Sequence, residues 1–285
     1  MLYTWTMVID GKKIAGEILN QVSETVSNFS FVPVFCDILV GNNPVSAQYV
    51  KMKAVAAEKV GMKFLNANFP GNITTNQLVE EIKKINQTPN ICGLIVQLPL
   101  AEHINKEYVL NAIDPQIDVD CTGEVNTKLF YSGRAFMEFP TAKAVMKILD
   151  STGLDFRTKK SLIVGFGQLV GRPVSFLFEQ RGWPHAVARS KTENIGELLA
   201  SADVIVSAVG KPKIITGEKL KPGSVVVDAG TSEGVSGSVV GDVDFASVSK
   251  TASFISPVPG GVGPVTVACL LENVCIAAQS RILGN

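Results

Sequence analysis

The chain has 285 residues, more than most single domains, so we expect two lobes. A hydrophobic fraction of 46% and a charged fraction of 18% are typical of a globular protein and exclude a disordered chain. The 26 basic and 26 acidic side chains cancel, which gives no support for a protein that binds nucleic acids or membrane surfaces. The five cysteines lack a CxxC pair and the two histidines lie far apart, so we predict buried thiols and no metal site.

The N-terminal residues lack the basic region and the apolar core of a signal peptide. No apolar run approaches the ~20 residues that a membrane-spanning helix needs. We therefore predict a cytoplasmic protein without a membrane partner.

Strand-like and helix-like segments alternate along the chain. In the first half we predict a strand over 31–40, a helix over 46–60 capped by Ser46 and Gly61, a strand over 63–69, a helix over 75–85 and a strand over 91–97. In the second half we predict a strand over 161–164, a helix over 170–180, a strand over 186–189, a helix over 194–200, and strands over 204–208 and 224–228. This alternation predicts an α/β fold with mostly parallel sheets.

The expected boundary between the lobes is a helical stretch near 140–149. We predict an N-terminal α/β substrate lobe over 1–141, with 266–285 packing back onto it as a long helix. The remaining residues, 142–265, are predicted to form a Rossmann-type doubly wound parallel sheet.

A glycine-rich loop follows the strand over 161–164. Gly165, Gly167 and Gly171 form the pattern GxGxxxG, one residue longer than the usual dinucleotide fingerprint. Such a loop lets the backbone approach a pyrophosphate and opens a helix whose free amides face the anion. The pattern predicts a nucleotide site, and a plain structural turn is the alternative.

The end of the next strand bears on the choice of nucleotide. An NAD site usually has an acid about 20 residues after the glycines, which bonds the ribose 2′-hydroxyl. Here the segment contains Arg189, Ser190 and Lys191 and no acid, and a cation with a hydroxyl suits a 2′-phosphate. We therefore favour NADP over NAD; the alternative is that both cations are merely solvated.

Three further segments carry polar groups suited to a substrate. Tyr49 and Lys53 are four residues apart and share one helical face. Gln97 ends a strand at its carboxyl end, where α/β ligand sites form. Asp118 and Asp120 are two nearby carboxylates. Each also has an ordinary explanation, as a surface pair, a polar strand end, or solvated and helix-capping acids.

The segment 257–264 has the most unusual composition, with three prolines and three glycines in eight residues. Proline fixes φ, while glycine permits backbone angles that other residues avoid. Such a loop is stiff in places and can approach a flat ligand closely in others. An irregular connection is the alternative.

Together these segments resemble the bifunctional methylenetetrahydrofolate dehydrogenase/cyclohydrolase family. The resemblance covers almost the whole chain from about Ile9 onward, in the family's order. The matching motifs are Ile38-Leu39-Val40-Gly41 with Pro44 and Ser46, Tyr49-Val50 with Lys53, Val96-Gln97-Leu98-Pro99-Leu100, Asp118-Val119-Asp120, Val170-Gly171 with Pro173, Val227-Asp228 with Gly230, Gly241-Asp242-Val243, and Pro257 to Thr266.

The resemblance implies a two-lobed enzyme, usually a homodimer, with folate bound in the cleft between the lobes. The implied activity is oxidation of 5,10-methylenetetrahydrofolate to the methenyl form with NADP, followed by hydrolysis to 10-formyltetrahydrofolate. Lys53 would handle the proton, Gln97 would orient and tune it, Tyr49 would stack on the aminobenzoate ring, and Asp120 would hold the pterin. The other expected contacts are Pro259 and Gly263 for folate, and Gly165, Phe166, Gly167, Arg189, Ser190 and Thr231 for the cofactor.

Two positions depart from the family pattern. Cys121 stands where the family usually has glycine, and Phe166-Gly167 stands where it commonly has Arg-Ser beside the cofactor phosphate. Arg189 is our candidate replacement for the missing arginine. Two other functions stay open: a dehydrogenase without the hydrolase step, and a non-catalytic nucleotide-binding redox sensor. The sensor would need none of the four residues expected to serve folate chemistry.

Overall fold

The structure is a computed structural model that describes residues 6–234 and 238–283. The chain divides into two compact units. We call the first the large-sheet unit, which comprises Met1–Ala15 and Thr141–Thr266. The second is the small-sheet unit, which comprises Gly16–Pro140 and Val267–Asn285. Each unit is therefore built from two separate stretches of sequence.

Strands and helices alternate along most of the chain, as expected for an α/β protein. The strands are β1 (Met7–Val8), β2 (Val34–Val40), β3 (Lys63–Phe69), β4 (Ile91–Val96), β5 (Ser161–Val164), β6 (His185–Ala188), β7 (Val204–Ser207), β8 (Val225–Asp228), β9 (Ser232–Glu233), β10 (Val239–Val240) and β11 (Phe254–Ile255). The α-helices are α1 (Gly11–Ser27), α2 (Pro44–Lys59), α3 (Thr75–Asn86), α4 (Lys106–Leu110), α5 (Glu124–Tyr131), α6 (Pro140–Asp150), α7 (Gly171–Gln180), α8 (Ile195–Ser201), α9 (Phe245–Val248) and α10 (Val262–Leu283).

The small sheet is parallel, with the strand order β3-β2-β4. Successive residues of a strand face opposite sides of the sheet. On one side of β2, Val34, Cys36 and Ile38 belong to a hydrophobic cluster. Phe35 and Asp37 face the other side, and both are fully buried. An acid therefore lies in the middle of the central strand, in an otherwise apolar segment.

The large sheet has six strands in the order β1-β11-β8-β7-β5-β6, and every pair is parallel. Every residue of β5, β7 and β8 is buried, as expected for strands covered on both faces. From β5 the chain goes to β6 on one side and then to β7 on the other. Ligands bind at the carboxyl ends of strands beside such a reversal.

These two parallel sheets confirm the predicted α/β fold class. The start of α2 differs from our prediction, because Asn43 and not Ser46 is the N-cap residue. The Asn43 side chain accepts a hydrogen bond from the backbone N–H of Ser46 at 2.9 Å. Pro44 occupies the first turn, where its missing amide does no harm. At the other end, Gly61 has φ of 86° just beyond the helix, as the predicted cap requires.

Helix α10 also begins earlier than the predicted residue 266. Pro264 lies in its first turn, where proline is tolerated. By length and composition alone, Val262–Ile282 could cross a membrane, which corrects our expectation that no apolar run is long enough. Because 67% of this apolar stretch is buried inside the protein, α10 has the character of a core helix.

The later part of α10 packs into the small-sheet unit. A Cβ atom added to Gly93 in β4 would lie 2.7 Å from the side chain of Val274, so this contact requires glycine. Asn273 is fully buried, and its Nδ2 donates to the carbonyl oxygens of Val119 and Glu138, each at 2.8 Å. The helix thus holds two loops of this unit by hydrogen bonds.

Candidate active site

Lys53 is the centre of a polar cluster in the small-sheet unit. It is buried on α2, one turn after the half-buried Tyr49. Its Nζ donates to Oε1 of Gln97 at 2.7 Å and lies 2.6 Å from Oδ2 of Asp37. Gln97 directly follows β4, and its backbone N–H donates to the carbonyl of Ile38 at 2.8 Å. Two rigid elements therefore bring Lys53 and Gln97 together.

Asp37 is the member of this cluster that our sequence analysis missed. Its side chain is 0% exposed and that of Lys53 is 7% exposed. Within the described residues, neither oxygen of Asp37 has a hydrogen-bond donor in good geometry, so the ion pair with Lys53 is its principal interaction. Burial raises the pKa of Asp37, and the charge of Lys53 offsets part of that rise.

Gln97 lies beside Lys53, and the lysine also forms a buried ion pair that we did not predict. The sequence does indicate such a pair: Asp37 lies inside the apolar run of residues 34–40, and a buried charge needs a partner of opposite charge. The sequence does not reveal which lysine supplies it. The cluster can hold a proton at Nζ of Lys53 and exchange it with a carboxylate.

The carboxylates of Asp118 and Asp120, which precede α5, have different surroundings. Asp118 accepts hydrogen bonds from the backbone N–H groups of Thr122 and Gly123, at 3.2 and 2.9 Å, and fixes the turn before α5. Asp120 is half-buried, and no hydrogen bond to its side chain is found in the described part of the chain. Burial raises the pKa of Asp120 to about 6, the charge of Lys53 lowers it, and the charges of Asp118 and Asp37 raise it. Asp118 is thus structural, while Asp120 has a carboxylate suited to a ligand.

Cys121, the departure from the family pattern beside Asp120, is buried with φ of 58°. This angle lies in the left-handed region that favours glycine. The turn therefore keeps the conformation that glycine would adopt, although a side chain is present.

The glycine-rich loop of the large-sheet unit follows β5. Gly165 has φ of 96°, and a Cβ atom there would clash with the carbonyl oxygen of Ala208 after β7. A Cβ atom on Gly171 would clash with the carbonyl oxygen of Gly165. Gly167 has open space around it. Two of the three glycines are thus needed for the shape of the loop, which lies at the reversal of the strand order.

Phe166 and Arg189 form a stacked pair above the carboxyl ends of β5 and β6. The guanidinium carbon of Arg189 lies 4.2 Å from the ring centroid of Phe166, within the range of a cation–π interaction. Arg189 is exposed and forms no salt bridge within residues 6–234 and 238–283. The contact with the ring leaves the N–H donors of the guanidinium group for an anion.

Ser190 and Thr231 are both exposed, and follow β6 and β8. Because all strands of this sheet are parallel, these loops lie at the same edge as the glycine-rich loop. Asp242 holds this edge together: it is fully buried and accepts hydrogen bonds from the hydroxyl of Ser207 and the backbone N–H of Val209, each at 2.7 Å. The acid in the Gly241-Asp242-Val243 motif is therefore a structural residue.

The proline- and glycine-rich segment leads into α10. Pro259 is exposed, and Gly263 is half-buried in the first turn of α10. A Cβ atom on Gly261 would lie 2.5 Å from the carbonyl oxygen of Pro257, so glycine is required there. This explains the composition of the segment by close backbone packing. Both predicted folate contacts lie on an accessible part of it.

All five cysteines are buried, as predicted. In the part of the chain that the structure describes, no group of three or more His, Cys, Asp or Glu residues could hold a metal ion. The two polar clusters that contain predicted site residues lie around Lys53 in one unit and along the carboxyl edge of the large sheet in the other.

Two family models match the chain. Residues 9–120 match the model described as tetrahydrofolate dehydrogenase/cyclohydrolase, catalytic domain. Residues 140–282 match the NAD(P)-binding domain of the same family. A relative from Bordetella bronchiseptica, named bifunctional protein FolD, is 39% identical over 275 residues, which cover 95% of this chain and 97% of the relative.

Solved structures agree with this match. The bifunctional FolD methylenetetrahydrofolate dehydrogenase/cyclohydrolase from Campylobacter jejuni is 36% identical, with a TM-score of 0.91 over 97% of this chain and 99% of that chain. The Trypanosoma brucei FolD enzyme, in complex with NADP cofactor and inhibitor, is 33% identical, with a TM-score of 0.92 over 97% and 98% of the two chains. The resemblance inferred from the motifs is thus confirmed, and the chain belongs to the tetrahydrofolate dehydrogenase/cyclohydrolase family.

Proposed function

We propose that this enzyme oxidises 5,10-methylenetetrahydrofolate to 5,10-methenyltetrahydrofolate with NADP and hydrolyses the product to 10-formyltetrahydrofolate. The observation that carries the proposal is the buried Lys53, held between Gln97 and Asp37 in a chain of this family. A dehydrogenase or a redox sensor that lacks hydrolysis needs no such proton-handling group.

The large-sheet unit has the features that NADP requires. Bound NADP accepts the hydride, so the protein contributes binding and orientation to this step. The loop from Gly165 to Gly171 offers its backbone and the start of α7 to the pyrophosphate. Arg189 and Ser190 would bind the 2′-phosphate, and Phe166, Gly167 and Thr231 would complete the site. We assign NADP binding to residues 142–265.

The small-sheet unit supplies the groups for folate. Lys53 would move the proton during hydrolysis, and Gln97 would orient it. Tyr49 would stack on the aminobenzoate ring and Asp120 would bond the pterin. Pro259, in the loop before α10, and Gly263, in the first turn of α10, would add folate contacts. We assign folate binding and catalysis to residues 1–141 together with 266–285, which the match of residues 9–120 to the catalytic-domain model supports.

We further propose that the enzyme is a cytoplasmic homodimer, in keeping with the usual state of the family it resembles. Sedimentation velocity of the purified chain tests the dimer. A monomer at micromolar concentration would contradict it.

The direct test of function is a spectrophotometric assay with 5,10-methylenetetrahydrofolate and either NADP or NAD. We expect formation and then decay of methenyltetrahydrofolate, with NADP preferred. Formation without enzyme-dependent decay would identify a dehydrogenase alone. Failure to bind any reduced folate would instead favour the redox sensor.

Replacing Arg189 is expected to change cofactor preference. In Arg189→Ala we expect the KM for NADP to rise about 10- to 100-fold, because a hydrogen bond to a charged group contributes roughly 1.5–3 kcal/mol. The KM for NAD, which has no 2′-phosphate, should change little. Steady-state kinetics with both cofactors measure this.

Lys191→Ala is the matched control, since it removes an exposed cation from the same loop. We expect a much smaller effect on NADP from this variant. An Arg189→Ala enzyme with the wild-type preference for NADP over NAD would contradict the assignment.

A further inference from the structure

The least expected feature of the catalytic cluster is the carboxylate of Asp37. It is fully buried on the central strand of the small sheet, 2.6 Å from Nζ of Lys53. Burying an unpaired carboxylate is unfavourable by several kcal/mol, and so is burying an unpaired ammonium group. The two side chains thus depend on each other, and Gln97 alone cannot neutralise the lysine.

We propose that Asp37 is a positioning residue that holds Lys53 in place and takes up its proton during hydrolysis. This inference rests on the proposed function and deepens it. Lys53 would then act as the outer member of a buried pair whose inner member never touches the substrate.

The geometry of the cluster places Lys53 on the outer side and Asp37 on the inner side of the pair. Nζ of Lys53 contacts Oδ2 of Asp37 on one side and Oε1 of Gln97 on the other. Asp37 is fully buried behind the lysine, whereas Gln97 is only half-buried. Oδ1 of Asp37 has no hydrogen-bond partner among the described residues. Substrate therefore meets the amine and not the carboxylate.

Hydrolysis would proceed in two steps, with the proton moving along the pair of Lys53 and Asp37. In the first step, the oxygen of water bonds to the methenyl carbon, and a water proton passes to Nζ of Lys53. Nζ passes its own proton to Oδ2 of Asp37, so the substrate loses its positive charge while the pair gains one proton. In the second step the bond from that carbon to N5 breaks, the hydroxyl proton is transferred to N5, and the formyl group remains on N10. The extra proton returns from Asp37 through Lys53 to solvent.

The surroundings of Asp37 favour this role. Burial raises the pKa of Asp37, which makes its carboxylate a better proton acceptor than an exposed one. Other titratable groups lie nearby: Cys36 beside Asp37, Tyr49 one turn before Lys53, and the carboxylates of Asp118 and Asp120. Burial raises the pKa of the Cys36 thiol to about 12, so it stays neutral. Of these acids, only Asp37 contacts Lys53 in an ion pair.

The test is the pH dependence of methenyltetrahydrofolate hydrolysis in wild type and Asp37→Asn. A protonated Asp37 cannot accept the proton from Lys53, so wild-type hydrolysis should fall at low pH. In Asp37→Asn we expect the ratio of hydrolysis to oxidation to fall at least about 10-fold, through kcat and not KM. The fall at low pH that is due to Asp37 should also disappear. An unchanged ratio and an unchanged pH profile would overturn the proposal.

Two control variants distinguish the effect of Asp37 from the effects of its neighbours Cys36 and Asp120. Cys36→Ala replaces the neighbouring buried residue on the opposite face of β2 and should keep the wild-type ratio. Asp120→Asn removes a neighbouring carboxyl group whose pKa burial raises to about 6, and the hydrolysis that remains in this variant should still fall at low pH. A flat profile in Asp120→Asn would overturn the proposal even if Asp37→Asn does not fold. By contrast, a wild-type enzyme that neither oxidises nor hydrolyses folates would refute the proposed function itself.

Discussion

Lys53→Met is expected to destabilise the small-sheet unit by about 3–5 kcal/mol, because it leaves Asp37 buried without its counter-ion. It should also reduce hydrolysis about 100-fold or more, since the proton-handling group is lost. Urea unfolding and the hydrolysis assay measure the two effects separately.

The destabilisation should depend on pH in a defined direction. Without Lys53, the folded-state pKa of Asp37 lies above its unfolded value of roughly 3.9, so the folded state binds the proton more tightly. The variant should therefore lose stability as the pH rises from about 4 through that folded-state pKa. We therefore expect Lys53→Met to be destabilised less, relative to wild type, at pH 5 than at pH 8.

The double variant Lys53→Met/Asp37→Val separates stability from catalysis. Replacing both members of a buried ion pair with apolar residues is often neutral or stabilising. We therefore expect the double variant to unfold at nearly the wild-type urea concentration at pH 8 and to remain unable to hydrolyse methenyltetrahydrofolate. Lys83→Met, which breaks an exposed pair with Glu80, is the control and should barely change stability. A stable Lys53→Met at pH 8 would show that the buried pair contributes no stability.

Gly171→Ala is expected to destabilise the large-sheet unit by about 1–3 kcal/mol and to abolish tight NADP binding. The added methyl group would clash with the carbonyl oxygen of Gly165, so the glycine-rich loop must move away from its position at the edge of the sheet. Urea unfolding and titration with NADP measure the two effects.

Gly167→Ala is the matched control, with the same chemical change four residues earlier. Because a Cβ atom at this position meets open space, the free energy of unfolding of Gly167→Ala should stay within about 0.5 kcal/mol of the wild-type value. Equal destabilisation by the two variants would show that the loop does not depend on this contact.

Much of the fold follows from local sequence patterns. The buried strands β5, β7 and β8 are short apolar runs, and the predicted bounds 161–164 and 63–69 are those observed. The start of α10 was misplaced because the Pro-Gly motif suggests a loop, although proline is compatible with a first helical turn. Local pattern therefore predicts which elements exist better than where they begin.

The site was less predictable, since its key contacts join residues far apart in sequence. Helical spacing and the end of a strand indicate Lys53 and Gln97, and the family resemblance assigns their roles. Their contact at 2.7 Å, which joins α2 to the end of β4, follows only from the fold. Asp37 belongs to no motif that we used, and only the three-dimensional packing of α2 on β2 reveals its partner. The stacking of Arg189 on Phe166 likewise depends on β5 and β6 being neighbours in the sheet.

The role of α10 has a consequence for how the chain is made. Strand β4 leaves a gap at Gly93 that Val274 fills, and the loop carbonyls of Val119 and Glu138 need Asn273. On the ribosome, residues near the N-terminus emerge first, and domains usually fold in that order. Here the strands of the small sheet are synthesised early, but the sheet lacks α10 until residues 262–283 have been made. Part of the apolar surface of the small-sheet unit would therefore stay uncovered during synthesis, until a segment more than a hundred residues later in the chain has been made.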